Sequence, residues 1–233
     1  MIYLDHAATT PVPKAVADAM YTVLTEQYAN PNAQYPFGQE MRRSVEDWRA
    51  VIAKAVGCEA NQLFFTSCGT EGDNWAIRAA CWQNRHVGRH IVTTAVEHHA
   101  VLHPMQKLEA KGFEVTYLQP DREGNITVDA LKKALRPDTI LVSVMMVNNE
   151  TGAVMPIADM VRVTRRLSPL ALFHTDAVQG FLKVPFRART LGADMISVSA
   201  HKIHAAKGTG ALYIRPALPL PPFLCGGGQE SNY

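Results

Sequence analysis

The sequence from Met195 to Lys202 reads Met-Ile-Ser-Val-Ser-Ala-His-Lys, an apolar run that ends in a histidine and a lysine. The run predicts a β-strand, with His201 and Lys202 just past its carboxyl end. Ligands in open α/β sheets bind at that end of the strands. A partly desolvated lysine loses its ammonium form more readily, and its free amine can then form a Schiff base with an aldehyde. Taken alone, Lys202 is more often simply a solvated loop lysine.

Two further strand ends suit the same chemistry. His-Thr-Asp at 174–176 closes a predicted strand, where a buried Asp176 would keep the ring nitrogen of pyridoxal phosphate (PLP) protonated. Thr-Ser-Cys-Gly-Thr-Glu at 66–71 leads from a strand into a helix, and free N–H groups at a helix start bind phosphate. The structural alternatives are a helix cap at Asp176 and a capping box at Ser67 or Thr70.

From Leu63 onward, short β-rich runs alternate with amphipathic stretches, which predicts βα units feeding a mostly parallel sheet. The predicted strands are Leu63–Thr66, Ile91–Thr94, Val115–Leu118, Thr139–Met146, Ala171–Thr175, Met195–Ser199 and Gly210–Ile214. The predicted helices between them are Glu71–Gln83, Ala100–Lys111, Val128–Leu135 and Ile157–Leu167. We therefore expect an α/β fold with three layers.

The two ends of the sequence differ from this pattern. Residues 1–14 are predicted to form an arm, and residues 15–56 a helical part with helices Lys14–Glu26 and Gln39–Val56. Residues 15–215 would then form one large domain. The proline-rich run that starts at Pro216 predicts a linker, residues 216–233, towards a C-terminal small domain. Because the last residues are rich in glycine, we expect the natural sequence to continue past Tyr233.

Composition narrows the class of protein. The chain has 233 residues, of which 47% are hydrophobic and 19% charged, as in globular domains. Its net charge of +2 is spread along the chain and gives no footprint for nucleic acid. No basic leader or membrane-length apolar run occurs. The four cysteines lack the spacing of a disulfide framework or a zinc site, which favours a reducing cytoplasm and no bound metal.

Six segments, in order, resemble the cysteine desulfurases of the NifS/IscS type. This group is a branch of the class V aminotransferase-like enzymes with the fold-type I PLP architecture. The segments are Tyr-Leu-Asp-His-Ala-Ala-Thr-Thr-Pro at 3–11, Ala-Asn-Pro-Asn at 29–32, Val-Glu-His-His-Ala-Val-Leu at 96–102, Val-Asn-Asn-Glu-Thr-Gly at 147–152, His-Thr-Asp-Ala-Val-Gln at 174–179 and Ser-Ala-His-Lys-Ile-His at 199–204. The resemblance covers essentially the whole chain and implies a seven-stranded, mostly parallel sheet with an antiparallel final strand.

The resemblance implies PLP as cofactor and gives each site residue a role. Lys202 would form the Schiff base, and His98 would stack on the ring and take part in proton transfer. Asp176 would pair with the ring nitrogen, whereas Asn149 and Gln179 would lie on the ring-oxygen side. The residues at the family's phosphate positions are Gly69, Thr70, Ser199 and His201.

Some neighbouring residues lie outside the family's cofactor positions. We expect His99 and His204 to be structural or solvated, and Cys68 to be a small buried thiol. His6 would either line the substrate side or make a hydrogen bond in a turn. The family usually has Gly-Pro where this chain has alanines at 205–206.

The implied reaction converts L-cysteine to L-alanine and passes the sulfur to an enzyme persulfide, for iron–sulfur cluster assembly or another sulfur-transfer pathway. The implied partners are a second copy of the chain, in a homodimer, and a sulfur-acceptor or scaffold protein. None of the four cysteines matches the family's nucleophile, so we expect this fragment alone to lack turnover. The alternatives are another class V activity, such as a transaminase or selenocysteine lyase, and a non-catalytic remnant that depends on a partner chain.

Overall fold

The computed structural model describes residues 2–232, with the side chains of residues 2–230. Met1 of the predicted arm and Tyr233 of the predicted linker lie outside the described residues. None of the described helices is long and apolar enough to span a membrane.

A seven-stranded sheet forms the centre of the fold. Its strands are β1 (Leu63–Thr66), β2 (His90–Thr94), β3 (Glu114–Leu118), β4 (Thr139–Ser143), β5 (Leu172–Asp176), β6 (Met195–Ser199) and β7 (Gly210–Ile214). Their order across the sheet is β1-β7-β6-β5-β4-β2-β3. Strand β7 is antiparallel to its neighbours β1 and β6, and all other strand pairs are parallel. The predicted mostly parallel sheet with an antiparallel final strand is confirmed.

Helices cover both faces of this sheet. They are α1 (Lys14–Glu26), α2 (Pro36–Val56), α3 (Gly69–Gln83), α4 (His99–Glu109), α5 (Val128–Ala134), α6 (Ile157–Leu167) and α7 (Ala188–Leu191). Apolar side chains of α3 and α4 form one core with the sheet, whereas those of α2, α5, α6 and α7 form a second core on the opposite face. The three predicted layers are therefore present.

Burial on both faces explains the continuous apolar runs in the sequence. Strands β2, β4, β5, β6 and β7 are buried along their whole length. Successive side chains of a strand point to opposite faces. Thus Leu172 packs in the core under α3 and α4, whereas Phe173 packs in the core under α5 and α6. Neither face of these strands has to be polar.

Two element boundaries differ clearly from the prediction. Helix α2 begins at Pro36 rather than Gln39, because a proline in the first helical turn needs no N–H partner. Strand β4 ends at Ser143 rather than Met146. The N–H groups of Val144 and Met146 still donate to the carbonyls of His174 and Asp176, whereas the Met146 carbonyl accepts from the N–H of Met155.

The N-terminal arm lies on the loop that follows β6. The N–H and the hydroxyl of Thr10 donate to the carbonyl of His201 at 2.9 and 2.8 Å. The same hydroxyl accepts from the N–H of His204 at 2.7 Å. Helix α1, in contrast, buries none of its residues. The division into an arm (1–14), a large domain (15–215) and a linker (216–233) stays a prediction.

Candidate active site

A cleft of about 640 Å³ opens at the carboxyl ends of the parallel strands. This volume lies in the range of small-molecule and cofactor sites. All the residues predicted to bind a cofactor line the cleft, namely Gly69, Thr70, His98, Asn149, Asp176, Gln179, Ser199, His201 and Lys202. The topology brings them together because β1, β2, β4, β5 and β6 run in the same direction and release their following loops at one edge.

One end of the cleft is the start of helix α3. The capping position belongs to Cys68, whose side chain makes no capping hydrogen bond. The Glu71 carboxylate instead accepts from the N–H and the hydroxyl of Ser67, at 2.8 and 2.5 Å. The capping box predicted as an alternative is therefore incomplete. The first N–H groups of α3 remain available for an anion.

Gly69 allows this helix start to lie close to the loop after β5. A Cβ atom at Gly69 would lie 2.6 Å from Cγ2 of Val178 and 3.5 Å from Cβ of Ser199. The backbone at Gly69 thus lies against both neighbouring loops with no room for a side chain. Such close approach of backbone to a ligand pocket is a use for which glycine is suited.

Asp176 lies at the carboxyl end of β5, at the floor of the cleft. It is only 6% exposed, and its Oδ1 accepts from the N–H of Val178 at 2.8 Å. Burial raises the pKa of Asp176 to about 7, and the nearby Asp73 adds to the rise. A cationic partner such as a protonated ring nitrogen would stabilise the ionised carboxylate there.

Asp73 lies beside it, on α3, and was missed by the sequence reasoning. Its Oδ1 is buried and has no hydrogen-bond partner, although it lies 3.4 Å from Nε2 of His174. Burial raises the pKa of Asp73 to about 7 and lowers that of His174 to about 4, so the imidazole is neutral. The signal in the sequence is a carboxylate one helical turn after Gly69, on the face that packs against the sheet.

Lys202 closes a 3₁₀ turn directly after β6. Its Nζ donates to the carbonyl oxygens of Ala7 and Ala8, at 2.5 and 2.9 Å. Burial lowers the pKa of Lys202, and the positive charge of Lys183 lowers it further. The N-terminal arm thus holds the lysine at the cleft.

His98 precedes helix α4 and caps it. Its Nδ1 accepts from the N–H of Ala100 at 3.1 Å. A neutral imidazole bound in this way carries its proton on Nε2. Partial desolvation is the main cause of the lowered pKa of His98, which keeps an exposed surface, with smaller contributions from His99 and Lys202. His98 can therefore present a neutral ring with an Nε2–H group at the cleft.

Asn149 lies in a loop that is pinned by the preceding residue. Oδ1 of the buried Asn148 accepts from the N–H groups of Glu150 and Thr151, at 2.9 and 2.8 Å. Its Nδ2 donates to the carbonyl of Val96 at 2.9 Å. Asn148 was not predicted as a site residue, yet it fixes the loop that brings Asn149 to the cleft.

The sequence profile of the aminotransferase class-V family matches residues 2–233. The chain belongs to this family. It is 47% identical over 231 residues to the cysteine desulfurase IscS of Dictyoglomus turgidum, a match that covers 99% of this chain and 58% of that protein. A solved NifS-like protein is similar with a TM-score of 0.96 at 40% identity, over 99% of this chain and 63% of that one. The structure of SspA in complex with cysteine is similar with a TM-score of 0.95 at 36% identity, over 100% of this chain and 67% of that one.

These similarities confirm two predictions for this class-V chain. The resemblance to NifS/IscS-type cysteine desulfurases is confirmed, and so is the α/β fold of fold-type I PLP enzymes. The chain spans about 58% of the length of the curated relative that it matches. The activity, substrates and partners of the whole protein therefore remain proposals.

The predictions for the other cysteine and histidine residues near the cleft have mixed outcomes. Cys68 is only half-buried and lines the cleft, so the expected buried thiol is wrong. Cys68 precedes the first residue of α3, and the start of that helix faces the cleft. His204 is exposed and binds the arm, with Nδ1 3.0 Å from the Pro11 carbonyl. His6 contacts the ring of His204 and does not line the cleft. His99 is exposed on α4.

Proposed function

We propose that this chain is the PLP-binding part of a cysteine desulfurase. One observation carries the proposal: the Lys202 amine, the buried Asp176 carboxyl and the uncapped start of α3 lie in one cleft. These are an amine for an aldehyde, an acid for a ring nitrogen and N–H donors for a phosphate.

The described residues fit PLP group by group. The first N–H groups of α3, at Gly69 and Thr70, would hold the phosphate with Ser199 and His201. Asp176 would hold the ring nitrogen. The ring face would lie against His98, the oxygen side would meet Asn149 and Gln179, and Lys202 would bind the aldehyde. When bound, PLP supplies an electron-withdrawing ring that weakens bonds in an attached amino acid.

The protein's own groups would prepare this chemistry. The pKa of Lys202 is lowered by burial and by Lys183, which increases the fraction of reactive free amine. Buried among acids, Asp176 would hold a proton at the ring nitrogen. The neutral His98 would present its Nε2–H group as a hydrogen-bond donor near the amine, because its Nδ1 accepts from the N–H of Ala100.

The proposed substrate is L-cysteine and the proposed product L-alanine, with the sulfur passed to a protein thiol as a persulfide. Among the described cysteines, Cys68 lines the cleft, whereas the exposed Cys225 does not. By the family resemblance, neither is the nucleophile. A homodimer, a sulfur-acceptor or scaffold protein and a cytoplasmic setting complete the proposal, and the four unpaired cysteines suit that compartment.

Cofactor attachment tests the first step of the proposal. Protein reconstituted with PLP should gain a visible absorbance band, and borohydride should fix the cofactor covalently to Lys202, as located by mass spectrometry of peptides. Lys207 is the matched control, because it is an exposed lysine in the same loop. Lys202→Ala should abolish the adduct, whereas Lys207→Ala should keep it. An adduct on Lys207, or none at all, would refute the assignment.

A second experiment tests Asp176. In a full-length protein, Asp176→Ala should retain part of the cofactor but slow the exchange of the amino-acid α-hydrogen with solvent, because the ring nitrogen is no longer kept protonated. Exchange at the wild-type rate would make Asp176 a structural residue. Products then separate the activities: alanine with sulfide indicates a desulfurase, alanine with selenide from selenocysteine indicates a lyase, and a keto acid indicates a transaminase.

A further inference from the structure

The side-chain amide of Gln179 is held at both of its ends. Nε2 donates to the carbonyl oxygen of Ala7 at 2.8 Å, and Oε1 accepts from Nζ of Lys183 at 3.1 Å. An ammonium group only donates and a carbonyl only accepts. Turning the amide over would place donor against donor and acceptor against acceptor. The two contacts therefore select one orientation of the amide.

The orientation of the amide matters because the Ala7 carbonyl accepts a second hydrogen bond, from Lys202. Nζ of Lys202 donates to that same oxygen at 2.5 Å. The N–H end of Gln179 therefore lies on the side of the reactive amine, and the C=O end points away to Lys183. A phenolic oxygen next to an aldehyde would meet a donor here, whereas the flipped amide would present a repelling acceptor.

We propose that Lys183 is a positioning residue that holds the amide of Gln179 with its N–H end towards the Lys202 amine. The inference rests on the proposed function, because it assigns that N–H end to the oxygen side of the cofactor. Lys183 lies outside the lining of the cleft and would touch no part of the proposed ligand.

The backbone after β5 places Lys183 for this contact. The N–H of Phe181 donates to the carbonyl of Ala177 at 2.7 Å, and the N–H of Lys183 donates to that of Gly180 at 3.0 Å. These consecutive turns place the side chains of Gln179 and Lys183, which are four residues apart, on the same side of the segment. A Cβ at Gly180 would lie 2.6 Å from Sδ of Met146, so the turn is packed directly on the core. These contacts fix the backbone between Gln179 and Lys183.

The contact can be tested without cofactor by nuclear magnetic resonance of the side-chain amide of Gln179, in protein labelled with ¹⁵N-glutamine. The resonance is assigned with Gln179→Glu. Lys183→Met removes the donor and should shift the resonance, whereas Lys183→Arg should largely restore it. Lys207→Met is the matched control, because Lys207 is also an exposed lysine but makes no contact with Gln179. An unchanged resonance in Lys183→Met would overturn the inference; Lys183→Gln serves if that variant does not fold.

Cofactor affinity tests the consequence in the reconstituted protein. Lys183→Met should weaken PLP binding roughly two- to tenfold, the range for loss of one hydrogen bond. In a Gln179→Ala background the same change should have a smaller further effect, since only the charge effect of Lys183 on Lys202 remains there. Additive losses would refute the positioning role. If the wild type bound no PLP, the proposed function would fail, whereas the resonance experiment would still decide whether Lys183 holds Gln179.

Discussion

Replacing Glu97 by glutamine should change how the stability of the cofactor-free protein depends on pH. Glu97 is 5% exposed, and its Oε1 accepts from the hydroxyl of Thr94 and the N–H of Met145 at 2.8 and 2.9 Å. Its Oε2 is buried without a hydrogen-bond partner. Burial raises the pKa of Glu97 from 4.5 to about 8, and the charges of Asp176 and Asp73 add to the rise.

The direction follows from proton binding. Because the pKa of Glu97 is higher in the folded than in the unfolded state, the folded state keeps the extra proton. The stability from this proton is fully present below pH 4.5 and is lost as the pH rises through about 8. The shift corresponds to roughly 5 kcal/mol as an upper limit. Glu97→Gln has no proton to lose and should escape this loss.

Urea unfolding of the cofactor-free protein measures the difference. At about pH 5 the two proteins should have similar stability, because the amide oxygen can replace Oε1, and an unpartnered N–H replaces an unpartnered O–H. At about pH 9 the variant should be more stable than wild type by several kcal/mol. Glu123→Gln, at an exposed loop carboxylate, is the control and should show no such pH-dependent difference from wild type. A pH-independent difference between wild type and Glu97→Gln would refute the reasoning.

Three further predictions concern other parts of the fold. Asp194→Ala removes a fully buried acceptor shared by two arginines and a strand N–H, and should lower the free energy of unfolding by about 3 kcal/mol in urea titrations. Gly69→Ala should weaken PLP binding in absorbance titrations, because its Cβ would press on Val178, and Val178→Ala should partly restore it. The 233-residue chain alone should release neither sulfide nor alanine catalytically from L-cysteine. Turnover that Cys68→Ser or Cys225→Ser abolishes would place the nucleophile in this chain.

The sheet could be predicted from the sequence because most of its strands are buried on both faces. Runs such as Met195–Ser199 are short, contain β-branched residues and are bounded by turns. This combination is typical of buried strands. The positions of Lys202 and Asp176 followed directly, since both come at the ends of such runs. The antiparallel direction of the final strand came only from the family resemblance, and the order of the strands was not predicted, because local patterns do not state which strands pair.

The remaining parts of the site depend on contacts between distant segments. Lys202 lies 195 residues from Ala7, and its acceptors are backbone carbonyls that have no signature in the sequence. Neither Asp73 nor Glu97 was predicted as a site residue, and only the packed structure shows that both are buried. Burial of a charged group is decided by the whole fold, so a local pattern cannot reveal it.

The floor of the cleft and the start of α3 differ in electrostatic character. At the floor, the buried carboxyls of Asp73 and Asp176 have pKa values raised by burial to about 7, so a cation bound there would stabilise their ionised form. At another part of the wall, the start of α3 offers N–H donors and the positive end of a 15-residue helix. A ligand that carries a basic ring nitrogen and a phosphate matches both regions, since it supplies the cation that the floor lacks and the anion that the helix start attracts. The charge distribution therefore suits a ligand with the polarity of PLP.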